Sequence, residues 1–162
     1  MDPKQQNFLA LVDRSRGLLV RICSLYSSEG AEFDDLYQEV LANLWEGMDG
    51  IRGDSKPTTW LYRVAINTCL SWHRRHDRHR SSRLENVPEP EAEESGRMSR
   101  YLTLQAIMAR LSPVDRALVT LWLDGNSYDD IAAIAGISKA NAAVKLHRIR
   151  EKMGKIGKSM DL

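Results

Sequence analysis

The stretch SYDDIAAIAGISKANAAVKLHRIREKM, residues 127–153, decides how the C-terminal part of this chain is read. Ser127, with Asp130 three residues on, has the form of a helix start, and the apolar set Ile131, Ala132, Ile134 and Ala135 stops at Gly136. Ser138 then caps a second helix, predicted from Lys139 to about Gly154. A short capped helix, a glycine-containing turn and a longer second helix are the layout of a helix-turn-helix. Ala132 and Ala133 would let the two helices approach, while Ile137 and either Val144 or Leu146 would fill the angle between them. Lys139, Lys145, Arg148, Arg150, Lys152, Lys155 and Lys158 stand against Glu151 and supply the attraction to phosphates that groove docking needs. An ordinary helical hairpin with a solvated basic face would show a similar pattern.

Working outward, Tyr101, Leu104, Ile107, Met108 and Leu111 keep helical spacing. Ser112-Pro113 restarts the chain as a cap followed by a first-turn proline, and Gly125 ends that helix. Before this unit, residues 81–97 carry Pro88, Pro90, serines and five glutamates with almost nothing apolar, the composition of a flexible acidic linker. The N-terminal unit opens with an amphipathic helix from about Asn7 to Tyr26, marked by Phe8, Leu11, Val12, Leu18, Leu19, Ile22 and Leu25. Asp35 with Gln38 suggests a capping box for a second helix carrying Leu36, Val40, Leu41, Leu44, Trp45 and Met48, which ends near Gly47 to Gly50. GIRGDSKP, residues 50–57, reads as a loop, with Pro57 as the first residue of a long third helix. In that helix Leu61, Val64, Ala65, Thr68, Cys69 and Trp72 form one stripe, and Trp60, Arg63, Asn67, Ser71, Arg74 and Arg78 form another. The fold class is therefore all-α, with two small helical domains at 1–80 and 98–162 joined by the linker.

The length of 162 residues and a 43% hydrophobic share suit one ordinary domain or two small ones. A net charge of +1 conceals the segregation of an acidic linker from basic helices. No apolar run reaches the roughly 20 residues of a membrane span, and MDPKQQNF lacks the basic-then-apolar order of a signal peptide, so a cytoplasmic location is expected. Cys23 and Cys69 are far apart in sequence, each within an apolar helical pattern, and are expected to be buried packing residues.

Three further constellations can carry function. WHRRHDRHRSSR, residues 72–83, sets Arg74, Arg75, Arg78, Arg80 and Arg83 against Asp77 and reads as a phosphate-binding patch. His73, His76 and His79 within it have no evident fourth ligand and lie among arginines that would repel a cation, so no metal is expected. Trp60, Arg63 and Asn67, beside the loop, offer a stacking surface, a cation and an amide suited to bases drawn out of a duplex; a tryptophan in that place equally suits a lid over a core. DDLYQEVLANLW, residues 34–45, places Asp34, Asp35, Gln38, Glu39 and Asn43 beside Val40, Leu44 and Trp45, which by itself is an amphipathic helix with a solvated acidic face.

In order, DDLYQEVLANLW, RGDSKPTTWLYRVAINTCLSWHRR, an acidic linker and SYDDIAAIAGISKANAAVKLHRIREKM resemble the extracytoplasmic-function group of sigma factors, the small two-domain members of the main bacterial sigma family. The likeness spans nearly the whole chain. It implies a protein that directs core RNA polymerase to promoters, in response to envelope or environmental stress, and that performs no catalysis itself. By this resemblance Asp34, Asp35, Gln38, Glu39, Asn43 and Trp45 grip the clamp helices of the polymerase largest subunit. Gly53, Asp54, Ser55, Lys56, Trp60, Arg63 and Asn67, with Arg74 and Arg75, serve the minus-ten element and its melted strand. Ser138, Lys139, Asn141, Ala143, Val144, Lys145, His147 and Arg148 serve the duplex minus-thirty-five element.

The sequence departs from the family where Gly-Thr-Val, a basic residue and Ser are common; here stand Ala140, Asn141, Ala142, Ala143 and Val144. Of the positions expected to meet bases, Ala143 and Val144 offer no hydrogen-bond donor and suit thymine methyl groups, whereas Arg148 suits a guanine or a phosphate. The implied partners are core RNA polymerase, promoter DNA as duplex and as melted strand, and an anti-sigma factor; no cofactor, membrane insertion or small-molecule substrate is expected. A dimeric helix-turn-helix repressor and a metal-dependent nuclease built on the histidine run are the rival readings, the first lacking a use for the N-terminal unit.

Overall fold

A computed structural model describes residues 1–27, 30–51, 53, 56–77 and 96–160, leaving the side chains of residues 77, 97, 98 and 101 aside. The described secondary structure is entirely helical: α1 (Pro3–Tyr26), α2 (Ala31–Gly47), a 3₁₀ turn (Met48–Gly50), α3 (Pro57–Asp77), α4 (Gly96–Ala109), α5 (Pro113–Leu123), α6 (Tyr128–Ala135) and α7 (Lys139–Ser159). Two compact units result, the bulk of the first drawn from Met1–Arg74 and that of the second from Arg75–Ala132 and Ile137–Leu162. The acidic linker at 81–95 lies outside the described residues, and Gly96 and Arg97, read as its end, already belong to α4.

In the first unit the apolar stripes of three helices make one core. α1 contributes Leu19, Ile22, Cys23 and Tyr26, α2 contributes Leu36, Val40 and Leu44, and α3 contributes Leu61, Ala65, Cys69 and Trp72. Cys23 and Cys69 are fully buried free thiols. The Cys69 S–H donates to the Cys23 sulfur, and this bond together with burial pushes the Cys69 pKa up. α1 begins four residues earlier than the sequence pattern suggests: the Asp2 carboxylate accepts from Lys4 N at 3.3 Å, Gln5 Oε1 accepts from Asp2 N at 3.3 Å, and Pro3 occupies the first turn. α2 also starts earlier than expected. It begins at Ala31 after Gly30, whose φ of 88° is open to glycine, so Asp35 lies inside the helix rather than capping it.

In the second unit each expected cap is formed. Ser112 Oγ accepts from Asp115 N at 3.2 Å, Ser127 Oγ from Asp130 N at 3.1 Å and Ser138 Oγ from Asn141 N at 3.1 Å. Gly125 and Gly136 close the turns at φ values of 85° and 70°. Leu118, Val119 and Leu121 of α5, Ile131 and Ala132 of α6, and Ala142, Leu146 and Ile149 of α7 form the core. Arg116 is buried as well. Its Nε donates to the Met108 carbonyl at 3.0 Å, which also accepts from the Leu111 amide at 3.2 Å, and its NH2 donates to the carbonyls of Ala109 and Leu111 at 3.4 and 3.2 Å, placing a cation where α4 ends and the chain turns toward α5. α7 continues five residues past Gly154, where Gly157 comes close enough to Ile107 that an added Cβ would lie 3.7 Å from its Cδ1.

Candidate nucleic-acid and polymerase interfaces

α2 presents Asp34, Asp35 and Gln38 to solvent, with Glu39 half-buried beside them. The helix buries Leu36, Val40 and Leu44 on its other side, so the carboxylates are displayed by the same periodicity that builds the core. Asn43 is exposed too but engaged by a neighbouring helix, and Trp45 is half-buried. Asn43 Nδ2 donates to Thr68 Oγ1 of α3 at 2.9 Å. The Trp45 ring lies edge-on to Phe8 of α1 at 5.3 Å, with Lys4 Nζ 4.4 Å from its centroid, and Lys4 also reaches Asp49 at 2.6 Å. Both therefore tie α2 to its neighbours. Tertiary partners of this kind leave no mark in the local sequence.

Gly53 and Lys56 are exposed, while Asp54 and Ser55 lie outside the described residues. The Lys56 carbonyl accepts from the Thr59 and Trp60 amides at 3.0 and 3.3 Å and so starts α3. Arg63 and Asn67 are exposed on one face, four residues apart. Trp60, on the same face, is half-buried: its indole lies against the end of α2, where a Cβ on Gly47 would meet Cζ2 at 3.1 Å. It thus covers part of the core and keeps an open edge. Arg74 and Arg75 are exposed near the end of α3, Arg74 NH2 donating to Ser71 Oγ at 3.1 Å. Arg78, Arg80, Arg83 and His79 lie outside the described residues, and among the described residues no three metal-donor side chains gather.

Residues 127–159 form the capped short helix, turn and long helix of a helix-turn-helix. Ile131 and Ala132 are buried, but Ala133 is exposed, so one alanine rather than two lies in the packed face of α6. Leu146, not Val144, fills the core, because Ala142, Leu146 and Ile149 share the inner stripe of α7. The outer face carries Lys139, Asn141, Val144, Lys145, His147 and Arg148 in the open, with Ala143 half-buried and Ser138 exposed at the cap. Lys139 Nζ lies 3.3 Å from Asp129 and His147 3.4 Å from Glu151. Arg150 is drawn off this face, its guanidinium 4.7 Å from the Trp122 ring centroid.

An all-helical unit displaying carboxylates beside an aromatic and basic stripe, followed by a helix-turn-helix unit with a basic outer helix, defines a two-domain helical DNA-binding protein of the kind the sequence resemblance implies. The family description Sigma-70 region 2 matches residues 11–79, and Sigma-70, region 4 matches residues 101–153. The chain belongs to the sigma-70 family, in its extracytoplasmic-function group. It is 27% identical over 151 residues to the ECF RNA polymerase sigma factor SigM of Mycobacterium tuberculosis, covering 92% of this chain and 76% of that one. It is 28% identical over 162 residues to the ECF RNA polymerase sigma-E factor of Escherichia coli, covering 91% and 84%. Among solved structures, the fold resembles CnrH in complex with the cytosolic domain of CnrY, with a TM-score of 0.69 at 19% identity over 96% of this chain and 90% of that one. It also resembles the sigma factor RpoE in complex with the anti-sigma factor NepR from Bartonella quintana, with a TM-score of 0.68 at 22% identity over 95% and 96%.

Proposed function

We propose that this chain is the promoter-recognition subunit of an RNA polymerase holoenzyme. It directs core polymerase to particular promoters and starts transcription there. The observation that carries the reading is the order of the two family regions in one chain, each with an outward face of suitable chemistry: carboxylates on α2 and a cationic face on α7.

Asp34, Asp35, Gln38 and Glu39 contact the polymerase, with Asn43 and Trp45 holding that face in place. Trp60, Arg63 and Asn67, next to the loop at 53–56, take up unpaired bases of the minus-ten element, and Arg74 and Arg75 hold its phosphates. Stacking of a flipped base contributes ~1–3 kcal/mol, which with phosphate contacts and polymerase binding is of the size needed to offset unpairing. α7 docks in the duplex of the minus-thirty-five element, with Ser138, Lys139, Asn141, Ala143, Val144, Lys145, His147 and Arg148 at or near the DNA. The polymerase performs the covalent chemistry, and this chain acts as a binding factor in the cytoplasm. Its first domain is 1–80 and its second opens with α4 at Gly96, with 81–95 as tether. No helix of the described residues is long and apolar enough to cross a membrane. An anti-sigma factor holds it inactive until an envelope or environmental stress releases it. Two of the solved structures it resembles are described as a complex with a cytosolic domain and a complex with an anti-sigma factor.

The test is capture of core polymerase by the full chain followed by run-off transcription. Asp35→Lys, a surface change, abolishes both capture and transcription while the protein stays folded; unchanged activity in that variant would remove the assigned interface.

A further inference from the structure

The outward face of α7 contains one large apolar side chain that the fold does not use. Ala142, Leu146 and Ile149 form the buried stripe, and Val144 lies on the opposite side, 48% exposed, among the exposed residues Ala140, Asn141, His147 and Arg148. Valine is a poor choice there on helical grounds alone, because its branched Cβ loses rotamer freedom against the preceding turn and alanine or lysine would not. Burial returns nothing for that cost. Arg148, one turn further along the same face, makes no ion pair among the described residues and stays available as a donor.

Resting on the reading of α7 as the helix that docks on duplex promoter DNA, we propose that Val144 is a specificity-determining residue that reads the 5-methyl group of a thymine in the major groove. The N-terminal part of a recognition helix faces the base edges, and Val144 is the sixth residue of a helix that begins at Lys139. Thymine alone presents a methyl group on that edge. A branched apolar side chain covers it and sheds water, whereas a base that presents a donor or acceptor there loses a water partner and gains none. Ala143 is half-buried and shorter by two methyl groups, so the contact falls to Val144.

The experiment selects duplex sites from a random-sequence pool with the full chain bound to core RNA polymerase. Each thymine of the selected upstream element is then replaced singly by deoxyuridine, which removes the methyl group and keeps every hydrogen-bonding group. One position is expected at which the replacement weakens binding about four-fold, the value of one buried methyl group, and at which Val144→Ser binds thymine and deoxyuridine alike. Val144→Thr, with one methyl group left, keeps part of the preference. Equal binding of thymine and deoxyuridine at every position, or a methyl preference that survives in folded Val144→Ser, overturns the proposal. A pool from which no sequence is enriched overturns the reading of the chain as a promoter-binding factor, and the proposal with it.

Discussion

Asn43 Nδ2 donates to Thr68 Oγ1 at 2.9 Å, and the same hydroxyl donates to the Val64 carbonyl at 2.7 Å, so α2 is tied to α3 through a buried threonine. Asn43→Ala leaves that hydroxyl without its incoming donor and is expected to lower the unfolding free energy by about 1 kcal/mol. Urea denaturation of the full chain checks this, and a midpoint equal to that of the parent would show that the tie carries no stability.

Trp45 invites a similar distinction. Its ring against Phe8 and under Lys4 joins α1 to α2, so Trp45→Ala is expected to cost about 2 kcal/mol, discounted for a half-buried site. Asp35→Lys, on the exposed face, is expected to stay within about 0.5 kcal/mol of the parent. Thermal unfolding beside transcription assays separates the two: loss of activity in Asp35→Lys belongs to binding, whereas loss in Trp45→Ala follows stability.

What could be read from the sequence and what could not divides along a physical line. Ser112, Ser127, Ser138, Pro57, Gly125 and Gly136 act within one turn of themselves, and the elements they bound were legible. Asp35 misled because a capping pair also occurs inside helices; the start at Ala31 depends on Gly30 adopting a positive φ. The first turn of α1 carries no apolar residue to announce it, and Gly154 reads as a stop although packing beside Ile107 carries α7 onward. The site shows the same division. Exposure of Asp34, Asp35, Arg63, Asn67 and Arg148 follows from helical period, but the partners of Asn43, Trp45, Trp60 and Arg150 lie 25 or more residues away or across a helix packing that no local pattern encodes.

Arg116 gives a prediction on the second unit. Its buried guanidinium bonds the carbonyls of Met108, Ala109 and Leu111 where α4 ends, and Arg116→Met would keep the packed stem while removing those three bonds, with Met108 keeping its bond from the Leu111 amide. A loss of about 2–3 kcal/mol is expected, read as a lower melting temperature, with Arg116→Lys recovering only part of it because one ammonium does not reproduce the planar fork. A methionine variant as stable as the parent would show that the cap is dispensable.

The Cys23–Cys69 pair predicts a chemical property. Both thiols are fully buried; the bond from Cys69 pulls the Cys23 pKa down while that bond and burial push the Cys69 pKa up, so Cys69 stays protonated and burial is what shields Cys23. The folded protein at pH 8 is expected to resist alkylation, and both cysteines are expected to react once urea unfolds the chain. Rapid labelling of either thiol under native conditions would show that the core of the first unit opens readily.

The cations of α7 are not equivalent, and salt dependence distinguishes them. Lys152 and Lys155 are exposed and make no ion pair among the described residues, so each can neutralise a phosphate and release a counterion. Replacing one by alanine should weaken binding of upstream duplex to a similar degree for all sequences and make the slope of log K against log salt shallower by about 0.9. Arg150 stands over Trp122, and its charge serves the contact between α5 and α7. Arg150→Ala is therefore expected to cost about 0.5–1 kcal/mol of stability and to leave most of the salt slope in place. The measurement is holoenzyme binding to one promoter duplex across a salt series; equal slopes for Lys152→Ala and the parent would mean that this end of α7 stays clear of the DNA backbone.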